Sequence, residues 1–162
     1  MKLYFVRHAT ASSKARWSQD DELRPLTRAG RQRFSVAATS LVEARALQVD
    51  AIVTSPLVRA RQTADILGKT LSDKVPIVED ARLGHEFDVA ALEAVLAEHR
   101  GARSIAIVGH NPSFAAVLSE VVGGAVLDVR KGSVALVELE DASRAKGRLL
   151  WLAPPTIFPG CP

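Results

Sequence analysis

This sequence has little of what several classes of protein require. Its single cysteine, Cys161, has no partner for an internal disulfide, and a reducing compartment is therefore allowed. No apolar run approaches the ~20 residues that a transmembrane helix needs. The first apolar run, residues 3–6, is too short for a secretory signal and ends at Arg7. We therefore expect a soluble, cytoplasmic protein without a membrane partner.

The charged residues lack the pattern of a nucleic-acid-binding protein. The chain has 21 Lys and Arg against 18 Asp and Glu, which gives a net charge of +3, and its pI is about 9.4. A basic pI can indicate nucleic-acid binding, but the arginines are scattered and no Lys/Arg run is interleaved with aromatic residues. A basic pocket for an anionic substrate accounts for the same charge. We expect an anionic substrate and no nucleic acid.

Length and composition predict a single domain that spans residues 1–162, with 48% hydrophobic residues to build its core. Short apolar runs alternate with segments of helical periodicity, which predicts a mostly parallel sheet in a three-layer α/β sandwich. Two strands, at residues 133–139 and 147–152, resemble a hairpin, so at least one strand near the C-terminus should be antiparallel. The short connections leave no room for a large inserted cap.

The predicted helices and strands follow from local signals. The four parallel strands are expected at residues 3–6, 50–54, 75–78 and 104–108. The helices are expected after Thr27 and at residues 57–71, 89–99 and 113–122. Thr27 should cap the first helix, and Ser55 should cap the second with Pro56 at its first position. Gly30, in the first turn of a helix, indicates close packing near the end of the first strand.

Arginines and histidines follow three of the predicted strands. Arg7 and His8 end the first strand, Arg59 lies in the first turn of the helix after the second, and His110 follows the fourth. Ligands bind at the carboxyl ends of parallel strands, so we expect these side chains to converge. Arginine forks and imidazoles suit a phosphate, although an Arg-His pair at a strand end, taken alone, is more often a solvated turn than a catalytic site.

These residue types support phosphoryl transfer. A neutral imidazole is available as a nucleophile near pH 7, and two arginines can stabilise charge on the phosphoryl oxygens. The four histidines lack close metal-ligand spacing and no paired carboxylates lie beside them. There is also no glycine-rich phosphate loop of the Walker type. We therefore expect a metal-independent reaction without a cofactor.

Three segments resemble the signatures of the histidine phosphatase superfamily, which contains the cofactor-dependent phosphoglycerate mutases and many phosphatases. They are residues 6–9 (VRHA), 55–64 (SPLVRARQTA) and 108–112 (VGHNP). The resemblance implies that His8 is phosphorylated during turnover. It also implies that Arg7, Arg59 and His110 form the phosphate pocket around it.

A fourth segment, residues 21–30 (DELRPLTRAG), resembles the SixA-type phosphohistidine phosphatases, which are small members without a cap. Mutase members usually have Gly after the nucleophilic histidine, and Ala9 in this chain argues against a mutase. The resemblance therefore favours a protein phosphohistidine phosphatase. A small-molecule phosphomonoesterase of the same superfamily and a non-catalytic module that binds a phosphorylated ligand are the alternatives.

The proton donor for the leaving group is the least defined part of the predicted site. Larger members use a carboxylate after the third strand, where this chain has Glu86 and Asp88, and Glu86 is our catalytic candidate. An exposed polar loop is the alternative. An alkoxide needs a proton to leave, whereas phosphohistidine releases imidazole and needs less help. If neither carboxylate reaches the site, a substrate with an N–P bond is favoured.

Three further residues are candidates for contacts with the substrate. Thr10 and Ser13 have hydroxyls that can bind phosphate, and Lys131 can add positive charge. A purely structural role is the alternative for each of them.

Overall fold

The computed structural model describes residues 1–72 and 74–159, and Cys161 lies outside them. Within this part of the chain, six strands form one sheet with four α-helices. The strands are β1 (Lys2–Arg7), β2 (Ala51–Thr54), β3 (Ile77–Glu79), β4 (Ser104–Gly109), β5 (Val134–Asp141) and β6 (Lys146–Ala153). The helices are α1 (Arg28–Glu43), α2 (Val58–Leu71), α3 (Val89–Glu98) and α4 (Ser113–Val121).

The sheet is parallel on one side and antiparallel on the other. Its strand order is β3-β2-β4-β1-β5-β6. The first four strands pair in parallel, while β5 is antiparallel to both of its neighbours. The α/β architecture and the antiparallel strand near the C-terminus are therefore confirmed. The register places Arg7 opposite Gly109 and Thr54 opposite Val108, so β1, β2 and β4 end at one edge.

Helices cover both faces of the sheet because every second side chain of a strand points to the same face. Tyr4 and Val6 of β1 are buried in a core cluster with the apolar stripes of α1 and α2. Leu3 and Phe5 are buried in a second cluster with α3 and α4. The three predicted layers are thus present. Among the described residues, no helix has both the length and the apolar character to cross a bilayer.

The start of α2 differs from the prediction. The helix begins at Val58, its N-cap is Leu57, and no side chain caps it. The prediction that Ser55 caps this helix with Pro56 at the first position is therefore wrong. The Ser55 hydroxyl accepts a hydrogen bond from the Leu57 amide at 3.4 Å, before the helix starts, and lies 2.8 Å from Nε2 of His110. Side-chain caps do occur elsewhere, including the predicted one at Thr27, which accepts a hydrogen bond from the Gly30 amide at 2.9 Å.

Gly30 permits the close contact between α1 and the segment that follows β1. The Thr10 carbonyl accepts hydrogen bonds from the amide of Thr27 at 3.0 Å and from its hydroxyl at 3.2 Å. A Cβ at position 30 would overlap the same carbonyl oxygen. The neighbour is backbone and cannot rotate away, which explains a glycine in the first turn of a helix.

We expect Gly30→Ala to lower the free energy of unfolding by about 1–3 kcal/mol, since the new methyl group forces α1 away from Thr10. Gly101→Ala is the matched control, because a Cβ there meets no atom within 4 Å, and its effect should stay within about 0.5 kcal/mol. Denaturant unfolding measures both. Equal stability of the two variants would contradict the packing argument.

Candidate active site

The four predicted strand-end residues line one cavity of about 630 Å³ at the carboxyl edge of the parallel strands. Arg7 and His8 come from the end of β1, Arg59 from the first turn of α2, and His110 from the residue after β4. The ring centroids of His8 and His110 lie 5.0 Å apart. The convergence follows from the register, because parallel strands that end together bring their following residues together.

His8 is held as a neutral imidazole with a defined tautomer. Its Nδ1 lies 2.7 Å from the carbonyl oxygen of Ala9, and a carbonyl only accepts, so Nδ1 carries the proton. The lone pair of neutral His8 is therefore on Nε2. Burial lowers the pKa of His8 to about 3, and the positive charges of Arg59, Arg7 and Lys131 act in the same direction. His8 is thus unprotonated at neutral pH, as a nucleophile must be.

His110 is also buried and neutral. Its Nε2 is hydrogen-bonded to the Ser55 hydroxyl at 2.8 Å. Its Nδ1 is buried and has no hydrogen-bond partner among residues 1–72 and 74–159. Burial lowers the pKa of His110 to about 2, and the positive charge of Arg59 acts in the same direction. This leaves one ring nitrogen of His110 available to a ligand.

The two arginines are anchored through their terminal nitrogens. Nη1 of Arg7 donates to the Val129 carbonyl at 2.8 Å. Arg59 is 2% exposed, its Nη1 donates to the Asp21 carbonyl at 2.8 Å, and its Nη2 lies 3.1 Å from the Asp21 carboxylate. The Nε of each arginine is buried without a hydrogen-bond partner in the described part of the chain. Both guanidinium groups therefore retain a donor for an anion.

Asp21 is the carboxylate that reaches this cavity, and sequence reasoning did not place it there. It forms ion pairs with Nε of Arg24 at 2.8 Å and with Arg59. The hydrogen bond from Arg24 is the main reason that the pKa of Asp21 lies below its ordinary value. A carboxyl held ionised in this way is a poor proton donor at neutral pH.

Thr63 connects His8 to Arg59, and it was also missed. Its hydroxyl accepts a hydrogen bond from the Ala9 amide at 3.0 Å and donates to the Arg59 carbonyl at 2.7 Å. The signal in the sequence is the spacing, since residues four apart lie on the same face of a helix. One turn of α2 thus positions both the residue that orients His8 and one of the two arginines.

The other predicted site residues are distributed around this cavity. Ser13 and Lys131 line it. Thr10 lines an adjoining cavity instead. Glu86 is exposed and is not among the lining residues, so its proton-donor role stays a prediction. Asp88 caps α3 by accepting a hydrogen bond from the Ala91 amide at 2.7 Å.

The residue beside Glu86 does line the cavity. The ring of His85 lies 5.4 Å from that of His110, measured between centroids. Sequence reasoning singled out the carboxylates of this loop and not its histidine. Within the described residues, no three His, Cys, Asp or Glu side chains come close enough together to hold a metal ion.

Comparison with known proteins gives matches of the sequence and of the fold. Residues 3–93 match the sequence model of the histidine phosphatase superfamily, branch 1. An uncharacterized protein of Picosynechococcus sp. is 37% identical over 114 residues, which cover 69% of this chain and 67% of the relative.

Solved structures of similar fold include phosphatases of different specificity. The protein histidine phosphatase SixA in complex with tungstate aligns with a TM-score of 0.85 and 23% identity, over 97% of this chain and 99% of the other. An alpha-ribazole phosphatase from Shigella flexneri aligns with a TM-score of 0.75 and 16% identity, over 96% and 97%. At these identities the likeness shows the fold.

We expect Thr63→Val to destabilise the protein by about 1–3 kcal/mol, since it leaves the buried Ala9 amide without an acceptor. Turnover should fall as well, because Ala9 orients His8. Thr70→Val is the matched control: Thr70 makes the same kind of bond on α2, to the Ile66 carbonyl at 2.9 Å. Unfolding and steady-state kinetics measure both effects. A Thr63→Val variant with the turnover of Thr70→Val would contradict the positioning role.

The free energy of unfolding should fall as the pH drops from about 6.5 towards 4. Over this range both histidines become protonated in the unfolded chain. In the folded protein they stay neutral, because the pKa values of buried His8 and His110 are about 3 and about 2. Each histidine contributes a slope of up to about 1.4 kcal/mol per pH unit. Urea unfolding across this range should give a shallower slope for His8→Gln than for His99→Gln. Parallel slopes would contradict the burial argument.

Proposed function

Since this chain belongs to the histidine phosphatase superfamily and is a phosphatase that acts on a phosphorylated substrate, we propose that His8 carries the phosphoryl group during turnover. The observation that supports this most is the hydrogen bond from Nδ1 of His8 to the Ala9 carbonyl. It leaves the lone pair on Nε2, and the depressed pKa keeps that nitrogen unprotonated at neutral pH.

The proposed reaction has two displacements at phosphorus. In the first, the Nε2 lone pair of His8 forms a bond to phosphorus while the bond to the leaving group breaks and its electron pair departs with that group. In the second, water attacks phosphorus, inorganic phosphate is released, and the electron pair of the N–P bond returns to Nε2. Both transition states spread negative charge over the phosphoryl oxygens, so stabilisation of that charge is the main requirement.

Arg7, Arg59 and His110 are proposed to supply that stabilisation. The free Nε donors of the two arginines suit the phosphoryl oxygens. In the tautomer that we propose, the Ser55 hydroxyl donates to Nε2 of His110 and the ring proton is on Nδ1, the nitrogen without a partner among the described residues. Donors held in a buried site need no rearrangement as charge develops. The Ser13 hydroxyl at the cavity wall is proposed to contact the substrate.

The substrate that we propose is a phosphohistidine in a protein. The Asp21 carboxylate is held ionised by Arg24 and Arg59, so it is a poor acid for an alkoxide leaving group. A phosphohistidine releases imidazole and needs less proton transfer, which suits such a site. One solved structure of similar fold is named a protein histidine phosphatase. Another is named an alpha-ribazole phosphatase, so a small phosphomonoester is the second candidate.

The His8→Ala variant should lose hydrolysis of an aryl phosphate by at least about 10³-fold, because the nucleophile is removed. Wild-type protein quenched during turnover should carry an acid-labile phosphoryl label that the variant lacks. His99→Ala serves as the control for loss of a histidine outside the cavity. Retained hydrolysis in His8→Ala would contradict the proposal. Phosphate binding by the wild-type protein without any hydrolysis would favour a non-catalytic binding module.

We also propose Glu86 as the proton donor for substrates with poor leaving groups. Glu86→Gln should then slow hydrolysis of an alkyl phosphate by about 10²-fold, because the alkoxide must be protonated as it leaves. Hydrolysis of phosphohistidine should change little. His85→Gln is the comparison, since His85 lines the cavity beside Glu86. An alkyl phosphate rate that is lowered in His85→Gln but not in Glu86→Gln removes Glu86 from the mechanism.

A further inference from the structure

We propose that the cavity adjoining the His8 cavity binds a second anionic group of the substrate, a carboxylate or a phosphate. The proposal rests on the proposed function, since it concerns what the substrate carries besides the reacting phosphoryl group. This adjoining cavity has a volume of about 330 Å³. It lies at the lower end of the range for ligand sites, so it suits a substituent better than a whole second molecule.

The two cavities share part of their lining. Arg7 and Lys131 line both of them. The Arg7 side chain is fixed by its hydrogen bond to the Val129 carbonyl, so it is a rigid part of this boundary. A substrate whose phosphoryl group lies against His8 can therefore extend past Arg7 and Lys131 into the adjoining cavity.

The adjoining cavity is strongly cationic. Arg33 of α1 and Arg130 line it together with Arg7 and Lys131, whereas Asp128 is the one carboxylate among the lining residues that the structure describes. Asp128 lies 2.7 Å from Nε of Arg130, and both side chains are largely exposed, so this pair is weakened by solvent. A cavity lined by cations in excess of carboxylates attracts an anion.

The charge of the whole chain is concentrated at these two cavities. Within residues 1–72 and 74–159, seven cationic side chains and two carboxylates line them together. That excess is larger than the net charge of +3 for the entire sequence, so the rest of the chain is slightly acidic. Arg7 and Arg59 suffice for a single phosphoryl group, and the excess of cations over carboxylates around the two cavities points to a substrate with more negative charge.

Hydroxyl groups add donors to the same wall. Thr10, predicted from the sequence as a substrate-binding residue, lines the adjoining cavity and not the His8 cavity, and Thr156 lies with it. Arginines with neighbouring hydroxyls provide directional donors for the oxygens of a carboxylate or phosphate. Thr10 is therefore assigned to the second anionic group and not to the reacting phosphoryl group.

Two aryl phosphates that differ in one charge test this assignment: 4-carboxyphenyl phosphate and 4-carbamoylphenyl phosphate. Wild-type protein should prefer the carboxylate by about tenfold in kcat/KM, a typical effect of complementary charge. The preference should fall towards one in Arg33→Gln, in Arg130→Gln and in the double variant. Comparing the ratio between variants cancels the small difference between the two leaving groups.

Arg148→Gln is the matched control. Arg148 is as exposed as Arg130 and is likewise paired with a carboxylate, that of Glu138 at 2.9 Å, but it lies on β6 away from both cavities. This variant should keep the wild-type preference. A preference absent from wild type with both this aryl pair and the peptide pair below, or retained in the double variant, would overturn the proposal.

Phosphohistidine peptides with Glu or Gln beside the phosphorylated residue form the second arm. A preference confined to the Glu peptide identifies an acidic protein side chain as the second group, and one confined to the aryl pair identifies a small molecule. Calorimetric binding of the corresponding non-hydrolysable aryl phosphonates reports on the adjoining cavity without turnover. If no substrate is hydrolysed but the carboxyphenyl phosphonate still binds more tightly than the carbamoylphenyl phosphonate, the proposed function fails and the second anion site stands.

Discussion

The hydrogen bond from Nδ1 of His8 to the Ala9 carbonyl is the interaction on which the site depends. It decides which ring nitrogen has the lone pair and in which direction that lone pair points. The peptide that provides the acceptor is itself held, because the Ala9 amide donates to Thr63. Thr63 in turn bonds to the Arg59 carbonyl. The proposed nucleophile, His8, and Arg59 are thus parts of one hydrogen-bonded unit.

Burial of the site restricts which of its side chains can be charged. Two guanidinium groups and two imidazoles share a small volume, and like charges there are costly unless paired. The histidines avoid the problem by staying neutral, as their depressed pKa values show. The arginines remain charged and are compensated by carbonyls and, for Arg59, by Asp21. An anionic substrate neutralises the remaining positive charge of the two arginines, so charge balance in the buried site favours substrate binding.

The strand ends and their arginines and histidines could be predicted from the sequence because they depend on local pattern. Apolar runs mark the strands, parallel pairing aligns their ends, and the residues that follow must meet. Ser55 and Thr63 could not be assigned in this way. Their partners are distant in the chain, and only the register of β1, β2 and β4 brings them together. Local capping preference therefore predicted that Ser55 caps α2, whereas the fold places its hydroxyl beside Nε2 of His110.

The most direct test of the proposed mechanism is to identify the atom that carries the phosphoryl group in the phosphoenzyme. Nuclear magnetic resonance of the ¹⁵N-labelled phosphoenzyme, under denaturing alkaline conditions that preserve phosphohistidine, can identify the bonded nitrogen by its coupling to ³¹P. We predict coupling to Nε2 of His8, since Nδ1 donates to the Ala9 carbonyl. Coupling to Nδ1, or a phosphoryl group on any other residue, would contradict it.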